Sequence, residues 1–275
     1  MDSLPCRFDP GSGYYHLEAG IHFIEFPLNL FIVDVIIICM KKSDIWFILS
    51  CLSVILFFVC CKPAGEWFIS STKAHPFFMA FMKFAVLSTA GEIIGYRIKE
   101  GHYPSAAFGI LPRGITWGFL GMLITAAMTI FSQGVPALLL QIGISPDGVT
   151  YSDLIGQSIL SSKSCYHLLA AFMISTFMNC IFAPFFMTIH KISDQHIIEN
   201  NGTLRGYFSP LHFGARLVSL DWNMMWNFLF KKTIPLFWIP AHTITFMLAP
   251  EFRVLFAALL GVMLGVFMSF ATKKR

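Results

Sequence analysis

Long apolar runs separated by short polar stretches dominate the chain. A helix needs about 20 mostly apolar residues to cross the hydrocarbon core of a bilayer, and about 17 to 25 are tolerated. The runs that approach this length are Ile21–Met40, Ile45–Cys61, Pro76–Ile98, Gly114 to about Gln133, Cys165–Ile189, Thr233–Leu248 and Val254–Ala271. The pattern predicts an all-α, polytopic helical membrane bundle with six or seven transmembrane helices. The count depends on whether Thr233–Leu248 spans the membrane or is re-entrant.

One polar-flanked stretch, Asp221–Phe230, has a different periodicity. Its large apolar side chains recur at helical spacing, and two lysines follow them: Trp222, Met225, Trp226, Leu229, Lys231 and Lys232. Indole rings favour the headgroup level and lysines favour anionic lipid, so the stretch predicts one interfacial amphipathic helix. The alternative is a helix outside the membrane that packs on the bundle.

Composition supports insertion into a membrane. The 275 residues are 56% hydrophobic and only 12% charged, whereas soluble domains carry about 25% charged residues. The net charge of +4 is too small to suggest a nucleic-acid partner. The expected partner is therefore the lipid bilayer, with a small solute or ion and a second copy of the chain as further candidates.

The basic residues indicate an orientation. With seven spans and the amino terminus outside, most of the 19 Lys and Arg residues fall on the inner face, as expected for cytoplasmic loops. The sequence then divides into a polar segment at 1–20, two transmembrane helices at 21–62, and a helical core at 74–275.

Ionisable residues inside the apolar runs are the main candidates for function, because a charge at membrane depth usually faces a partner or water. Glu92 lies toward the inner end of the third run and Arg113 stands at the entrance of the fourth on the same side, so we predict that they pair. Lys83 and Glu25 lie in the outer halves of their runs and form a second candidate pair. These residues, together with His242 and Arg253, either line a hydrated path or form static ion pairs that hold the bundle together.

Glycines and prolines mark packing and breaks. Glycines four apart let two helices approach closely, and they occur in three runs, as Gly91 and Gly95, Gly114 and Gly118, and Gly261 and Gly265. Three prolines are candidate helix breaks, since each removes a backbone donor: Pro235, Pro240 and Pro250.

Signatures of catalysis and of cofactors are missing from the sequence. There is no His-Glu-x-x-His, no phosphate-binding loop, no Gly-x-Ser-x-Gly and no Cys-x-x-Cys motif, and no two histidines stand at metal-ligand spacing. We therefore expect no catalytic residues, no metal and no cofactor, and a protein that is not an enzyme.

Several patches from Ala74 onwards resemble the Mpv-seventeen/PMP-twenty-two family of small mitochondrial and peroxisomal membrane proteins. Ala74-His75-Pro76 followed by Gly91-Glu92 is similar to the family's opening helix, and Ala183-Pro184 to a later element. The closing signature is matched by Asp221, Trp222, Trp238, Pro240, Phe246, Pro250, Arg253 and Ser269. The two N-terminal helices lie outside the match.

The resemblance implies a channel-like or small-solute permeability protein with a role in metabolite homeostasis. It implies the mitochondrial inner or the peroxisomal membrane in a eukaryote, and a bacterial source would mean the cytoplasmic membrane. The alternative is a non-conducting membrane scaffold or assembly factor, in which the glycine faces and ion pairs are structural.

Overall fold

The computed structural model describes residues 6–9, 14–17, 42–144 and 165–272. The chain divides into two compact units, and the larger, Ile69–Lys273, contains most of the helices. The division lies close to the predicted start of the helical core. Met1–Phe68 belongs to the other unit.

The smaller unit contains two short strands and a long helix. Strands β1 (Cys6–Asp9) and β2 (Tyr14–Leu17) pair antiparallel, with Cys6 opposite Leu17. They fall within the N-terminal segment that was expected only to be polar, and they are the departure from an all-helical chain among the described residues. Helix α1 (Lys42–Cys60) overlaps the second predicted apolar run.

Nine α-helices, a 3₁₀ turn and a π-helix follow among the described residues, and the first of these, α2, contains the boundary between the two units at Phe68 and Ile69. They are α2 (Lys62–Ala74), α3 (Pro76–Glu100), the 3₁₀ turn (Ala106–Phe108), α4 (Ile110–Gln141), α5 (Cys165–Glu199), α6 (Leu204–Tyr207), α7 (Phe213–Ser219), α8 (Trp222–Met224), the π-helix (Met225–Trp238), α9 (Ile239–Met247) and α10 (Pro250–Thr272). Helix α3 packs along both α4 and α10, and α5 packs against α4 and α9.

Two of these helices run further than the apolar pattern predicted. Helix α4 continues through Pro136 to Gln141, although the predicted apolar run ends at about Gln133. Val135 and Leu139 are buried there, so apolar packing holds the last turns in helical form. Helix α5 continues ten residues beyond the predicted end at Ile189, again with buried apolar residues on one face.

The sixth predicted span is part of a longer continuous helix. The backbone is helical from Trp222 to Met247, so Pro235 and Pro240 do not break it. A proline ring clashes with the carbonyl four residues earlier in a regular α-helix, and the wider π turns around Pro235 relieve that clash. Pro250 instead starts α10, after an extended residue at Leu248.

The predicted interfacial helix is therefore the first part of this same element. Met225 and Leu229 are buried, whereas Trp222 and Trp226 are exposed. In the π-helix the buried residues recur every four positions, at Met225, Leu229 and Thr233. The indoles do not share that spacing, so the predicted apolar stripe is divided between a buried and an exposed face. Both indoles lie on the exposed side of this element, while the opposite face packs on the bundle.

Three helical stretches in the described part of the chain are long and apolar enough to cross a membrane: Pro76–Glu100, Ala106–Gln141 and Tyr166–Glu199. Helix α3 alone has 25 residues and is about 37 Å long at 1.5 Å per residue. The larger number of spans predicted from the sequence is not confirmed. Ile21–Met40 lies outside the described residues.

The predicted glycine pairs lie where helices meet. A Cβ atom on Gly91 would stand 2.7 Å from Cα of Val262 on α10, and one on Gly118 would overlap the Phe81 ring of α3. On Gly114 it would lie 3.6 Å from the Ala85 carbonyl. Gly261 faces Ser88 at 3.5 Å, so the glycines of α4 and α10 both face α3. Gly95 is buried on α3. The surroundings of Gly265 lie outside the described part of the structure, so its packing stays a prediction.

Candidate functional site

Two glycine turns position the first group of functional side chains. Gly109 precedes α4 with φ of +73°, and Gly202 follows α5 with φ of +64°, both in the left-handed region. A Cβ atom on Gly109 would stand 2.6 Å from Cα of Gly202, so the two turns touch through their backbones. This contact places the first turn of α4 beside the last turns of α5.

Arg113, in that first turn of α4, bonds two carboxylates. Its Nη1 donates to Oε2 of Glu92 on α3 at 2.8 Å and to Oδ1 of Asp194 on α5 at 2.9 Å. Its Nε donates to the Phe108 carbonyl at 2.9 Å, and the guanidinium stands 4.3 Å from the centre of the Phe108 ring. The predicted neighbours Glu92 and Arg113 are thus brought together, with Asp194 as a third member.

A histidine completes this group, which we call the ionic cluster (Glu92, Arg113, His190 and Asp194). Nε2 of His190 lies 3.3 Å from Oε1 of Glu92 and 3.7 Å from Oδ1 of Asp194, and its ring packs against Trp117 at 4.4 Å between centres. The side chain of Arg113 is 8% exposed and the other three are 18–20% exposed. The cluster is therefore largely shielded from its surroundings.

Two carboxylates and an imidazole are a donor set that divalent metals accept. One ligand atom from each of Glu92, His190 and Asp194 lies within 4.8 Å of the others. Arg113 already donates to both carboxylates, so a guanidinium supplies the positive charge that a metal would bring.

The second group lines a cavity of about 360 Å³ near the opposite end of α3. Parts of α2, α3, α4, α9 and α10 enclose it. Its polar lining residues are Thr72, Lys73, Lys83, Thr125, Thr129, Ser132, Gln133, Glu251 and Arg253. We call this the polar cavity.

Among the described lining residues of the polar cavity, three are basic and one is acidic. Lys83 is 5% exposed and its Nζ donates to Oγ1 of Thr72 at 2.9 Å. Arg253 is 7% exposed and its Nε donates to the Leu248 carbonyl at 3.0 Å. At the rim, Nζ of Lys73 lies 2.9 Å from Oε1 of Glu251. Three cationic side chains thus share the cavity with one carboxylate.

The predicted site residues in the described part of the chain fall into three separate groups. Glu92 and Arg113 belong to the ionic cluster, while Lys83, Arg253 and Pro250 belong to the polar cavity. His242 is separate from both: its Nδ1 lies 3.1 Å from Oδ1 of Asn179, and its ring stacks on Trp238. Glu25 lies outside the described residues, so its pairing with Lys83 stays a prediction.

Sequence reasoning missed His190 and Asp194. The predicted fifth span ends at Ile189, so both residues fell outside the predicted spans. Burial of Ile192, His196 and Ile197 on one face of α5 shows the signal that was available: an apolar periodicity that continues to the Asn-Asn-Gly stop at 200–202. The threonines and Ser132 of the cavity carried no signal of their own.

Comparisons with known proteins give no relative. No family model, no curated protein and no solved structure matches the chain.

Proposed function

We propose that the chain is an integral membrane protein that lets a small solute cross the bilayer. The observation that carries the proposal is the polar cavity, with buried Lys83 and Arg253, inside a unit whose longest helices have membrane-spanning length. Charged groups at membrane depth usually line a water-filled space or meet a partner. A cavity of this volume is in the range of small-molecule sites.

Exposed apolar side chains support a lipid environment. Phe78 on α3 is 64% exposed, Ile130 on α4 is 66% and Ile181 on α5 is 61%. Soluble proteins rarely present such surface over several helices at once. The exposed indoles of Trp222 and Trp226, beside Lys231 and Lys232, suit the headgroup region.

In this proposal the ionic cluster closes one end of the path. Glu92 and Asp194 hold Arg113 between α3, α4 and α5, and helix α6 packs over α4 and α5 nearby. Oγ1 of Thr116 lies 3.2 Å from the hydroxyl of Tyr207, which ties α6 to α4. The polar cavity is then the entrance on the other side, and transport requires the cluster to open.

The resemblance to the Mpv-seventeen/PMP-twenty-two family supports the same function, and with it a mitochondrial inner or peroxisomal membrane. Under this proposal the protein is not an enzyme, needs no cofactor, and acts alone or as a homo-oligomer.

Purified protein in liposomes tests the proposal. We expect a solute permeability above that of empty liposomes, and a further increase in Glu92→Ala, because Arg113 then loses one of the two carboxylates that fix it. Glu100→Ala is the matched control, since it removes an exposed carboxylate from the same helix. Equal permeability in wild type, Glu92→Ala and empty liposomes would rule out the channel.

Two observations favour a second function, that of a non-conducting scaffold. The close approach of α3 to α10 at Gly91 and the closed ionic cluster suit a rigid bundle. Partners would then bind the segment around Arg205–Arg216, which contains α6 and the start of α7. Crosslinking that recovers a stoichiometric partner, from a protein without conductance, would favour this function.

A further inference from the structure

The chain between α5 and the π-helix carries exposed apolar and basic side chains together. We propose that this segment, residues 200–221, and Lys231 and Lys232 of the π-helix form a surface that binds the anionic headgroups of a lipid bilayer. We call it the basic surface. The inference rests on the membrane location in the proposed function, and it does not depend on the passage of a solute.

Large apolar side chains are exposed in this segment, although it is not part of a helix of spanning length. Phe208, which follows α6, is 75% exposed, and Val218 on α7 is 81% exposed. Leu204, Leu211 and Phe213 are between 38% and 45% exposed. Proteins surrounded by water rarely leave so many apolar side chains uncovered in one short stretch. These groups therefore favour a covering surface that is partly apolar.

The fold holds the segment at one end of the bundle. Helices α6 and α7 both pack on α5, and Nε1 of Trp222 donates to the Leu217 carbonyl at 3.0 Å, which joins α7 to the start of the π-helix. Helix α5 ends at Glu199 after a stretch long enough to cross the bilayer. The segment that follows it then lies at the level of the lipid headgroups.

Basic residues give the surface its sign. The charged residues between 199 and 232 are Glu199, Arg205, Arg216, Asp221, Lys231 and Lys232. Arg216 pairs with Glu199, and Oδ1 of Asp221 accepts the backbone N–H of Met224 at 2.9 Å. Within the described part of the chain, the other three basic side chains have no carboxylate at ion-pair distance, and all three residues are exposed.

The combination of these two features selects anionic lipid. Each Lys or Arg side chain near an anionic bilayer surface strengthens binding about fivefold, and apolar side chains enter the boundary between headgroups and acyl chains. A zwitterionic headgroup has no net charge, so it satisfies only the apolar half of the surface. An acidic protein would match the charge, but it would have to dock where lipid headgroups already lie.

Native mass spectrometry of the full chain in detergent, with added dioctanoyl phosphatidylglycerol or dioctanoyl phosphatidylcholine, is the first test. We expect a preference for phosphatidylglycerol that falls about 25-fold in Lys231→Gln/Lys232→Gln, because two contributions of about fivefold multiply. Arg205→Gln should lower it about fivefold. The matched control is Lys73→Gln/Lys99→Gln, which removes two exposed cations elsewhere and should keep the preference. Equal preference in the two double variants overturns the inference.

The second test measures where the segment lies. Phe208→Trp or Val218→Trp adds an indole at an exposed position, and the wild-type chain with its six tryptophans provides the background fluorescence. In nanodiscs of phosphatidylcholine and phosphatidylglycerol, we expect lipid brominated near the top of its acyl chains to quench the added indole. An added indole that aqueous acrylamide quenches and brominated lipid does not would place the segment in water, where a protein partner is the better occupant, and would overturn the inference.

The inference and the proposed function fail in different ways. A lipid preference that depends on Lys231 and Lys232, in a protein without flux, keeps the basic surface and removes the channel. Flux through a protein without this lipid preference keeps the channel and removes the basic surface.

Discussion

The charged side chains near the two ends of helix α3 have different surroundings. Near its carboxyl end, Glu92 belongs to an ionic cluster in which Arg113 meets two carboxylates. Near its amino end, Lys83 lies in a cavity where cations outnumber acids. The first arrangement is closed by its own side chains, whereas the second borders a cavity of about 360 Å³.

The geometry of one helix produces this difference. Lys83 and Glu92 are nine residues apart, which at 100° per residue places them on opposite faces. Helix α3 packs between α4 and α10, so the Glu92 face meets α4 and α5 while the Lys83 face meets the cavity beside α10. A single helix therefore separates a neutralised group from a basic one.

The largest expected effect comes from removing the guanidinium of the ionic cluster. Arg113→Met leaves Glu92 and Asp194 without the guanidinium that both accept from. Removing one partner of a buried ion pair costs about 3–5 kcal/mol, which should lower the thermal denaturation midpoint in detergent by about 10 °C.

Lys83→Met is the matched control for that change. It also replaces a buried cation by an apolar side chain, but the printed bond it removes is to a neutral hydroxyl, that of Thr72 at 2.9 Å, so we expect a smaller loss of about 1–2 kcal/mol. Similar losses in the two variants would show that the two ends do not differ in charge balance.

Glycine substitutions sharpen the comparison through packing. Gly91→Ala, next to Glu92, would place a methyl group 2.7 Å from the Val262 backbone, and overpacking of this kind costs about 1–3 kcal/mol. Gly134→Ala, beside the cavity residue Gln133, meets nothing within 4 Å. It should be neutral or stabilise α4 by up to about 1 kcal/mol, measured by the same denaturation. A tolerated Gly91→Ala would contradict the close approach of α3 and α10.

The sequence predicted the ionic cluster better than the polar cavity. Glu92 and Arg113 lie at the ends of two apolar runs joined by a short connection, so local chain geometry was enough to pair them. The glycine pairs indicated helices that approach closely, because the period of a helix puts residues four apart on one face.

The polar cavity could not be predicted from the sequence in the same way. Lys83 and Arg253 are far apart in sequence, and only the packing of α10 on α3 brings them to one cavity. No local periodicity encodes that contact. Thr125, Thr129 and Ser132 gave no sequence signal of a cavity either, because hydroxyl side chains in an apolar run also donate hydrogen bonds to carbonyl groups of their own helix.

The predicted ends of the fifth and sixth spans were wrong for a different physical reason. Polarity was taken to end the fifth span at Ile189, and proline was taken to break the sixth. Burial of Ile192 and Ile197 extends α5 despite its polar residues, and π geometry carries the backbone through Pro235. In both places tertiary packing outweighed the local signal.

The smallest expected effect concerns the rim of the cavity. The side chains of Lys73 and Glu251 are 61% and 27% exposed, and exposed pairs contribute only about 0–1 kcal/mol. Lys73→Gln should therefore cost at most that amount and remove a salt-dependent part of the stability, because ions screen exposed charges but scarcely reach buried ones. Denaturation at low and high salt measures this, with Lys99→Gln as a control that breaks another exposed pair. A salt dependence that instead disappears with Glu92→Gln would place the screened charges in the ionic cluster and reverse the assignment of open and closed ends.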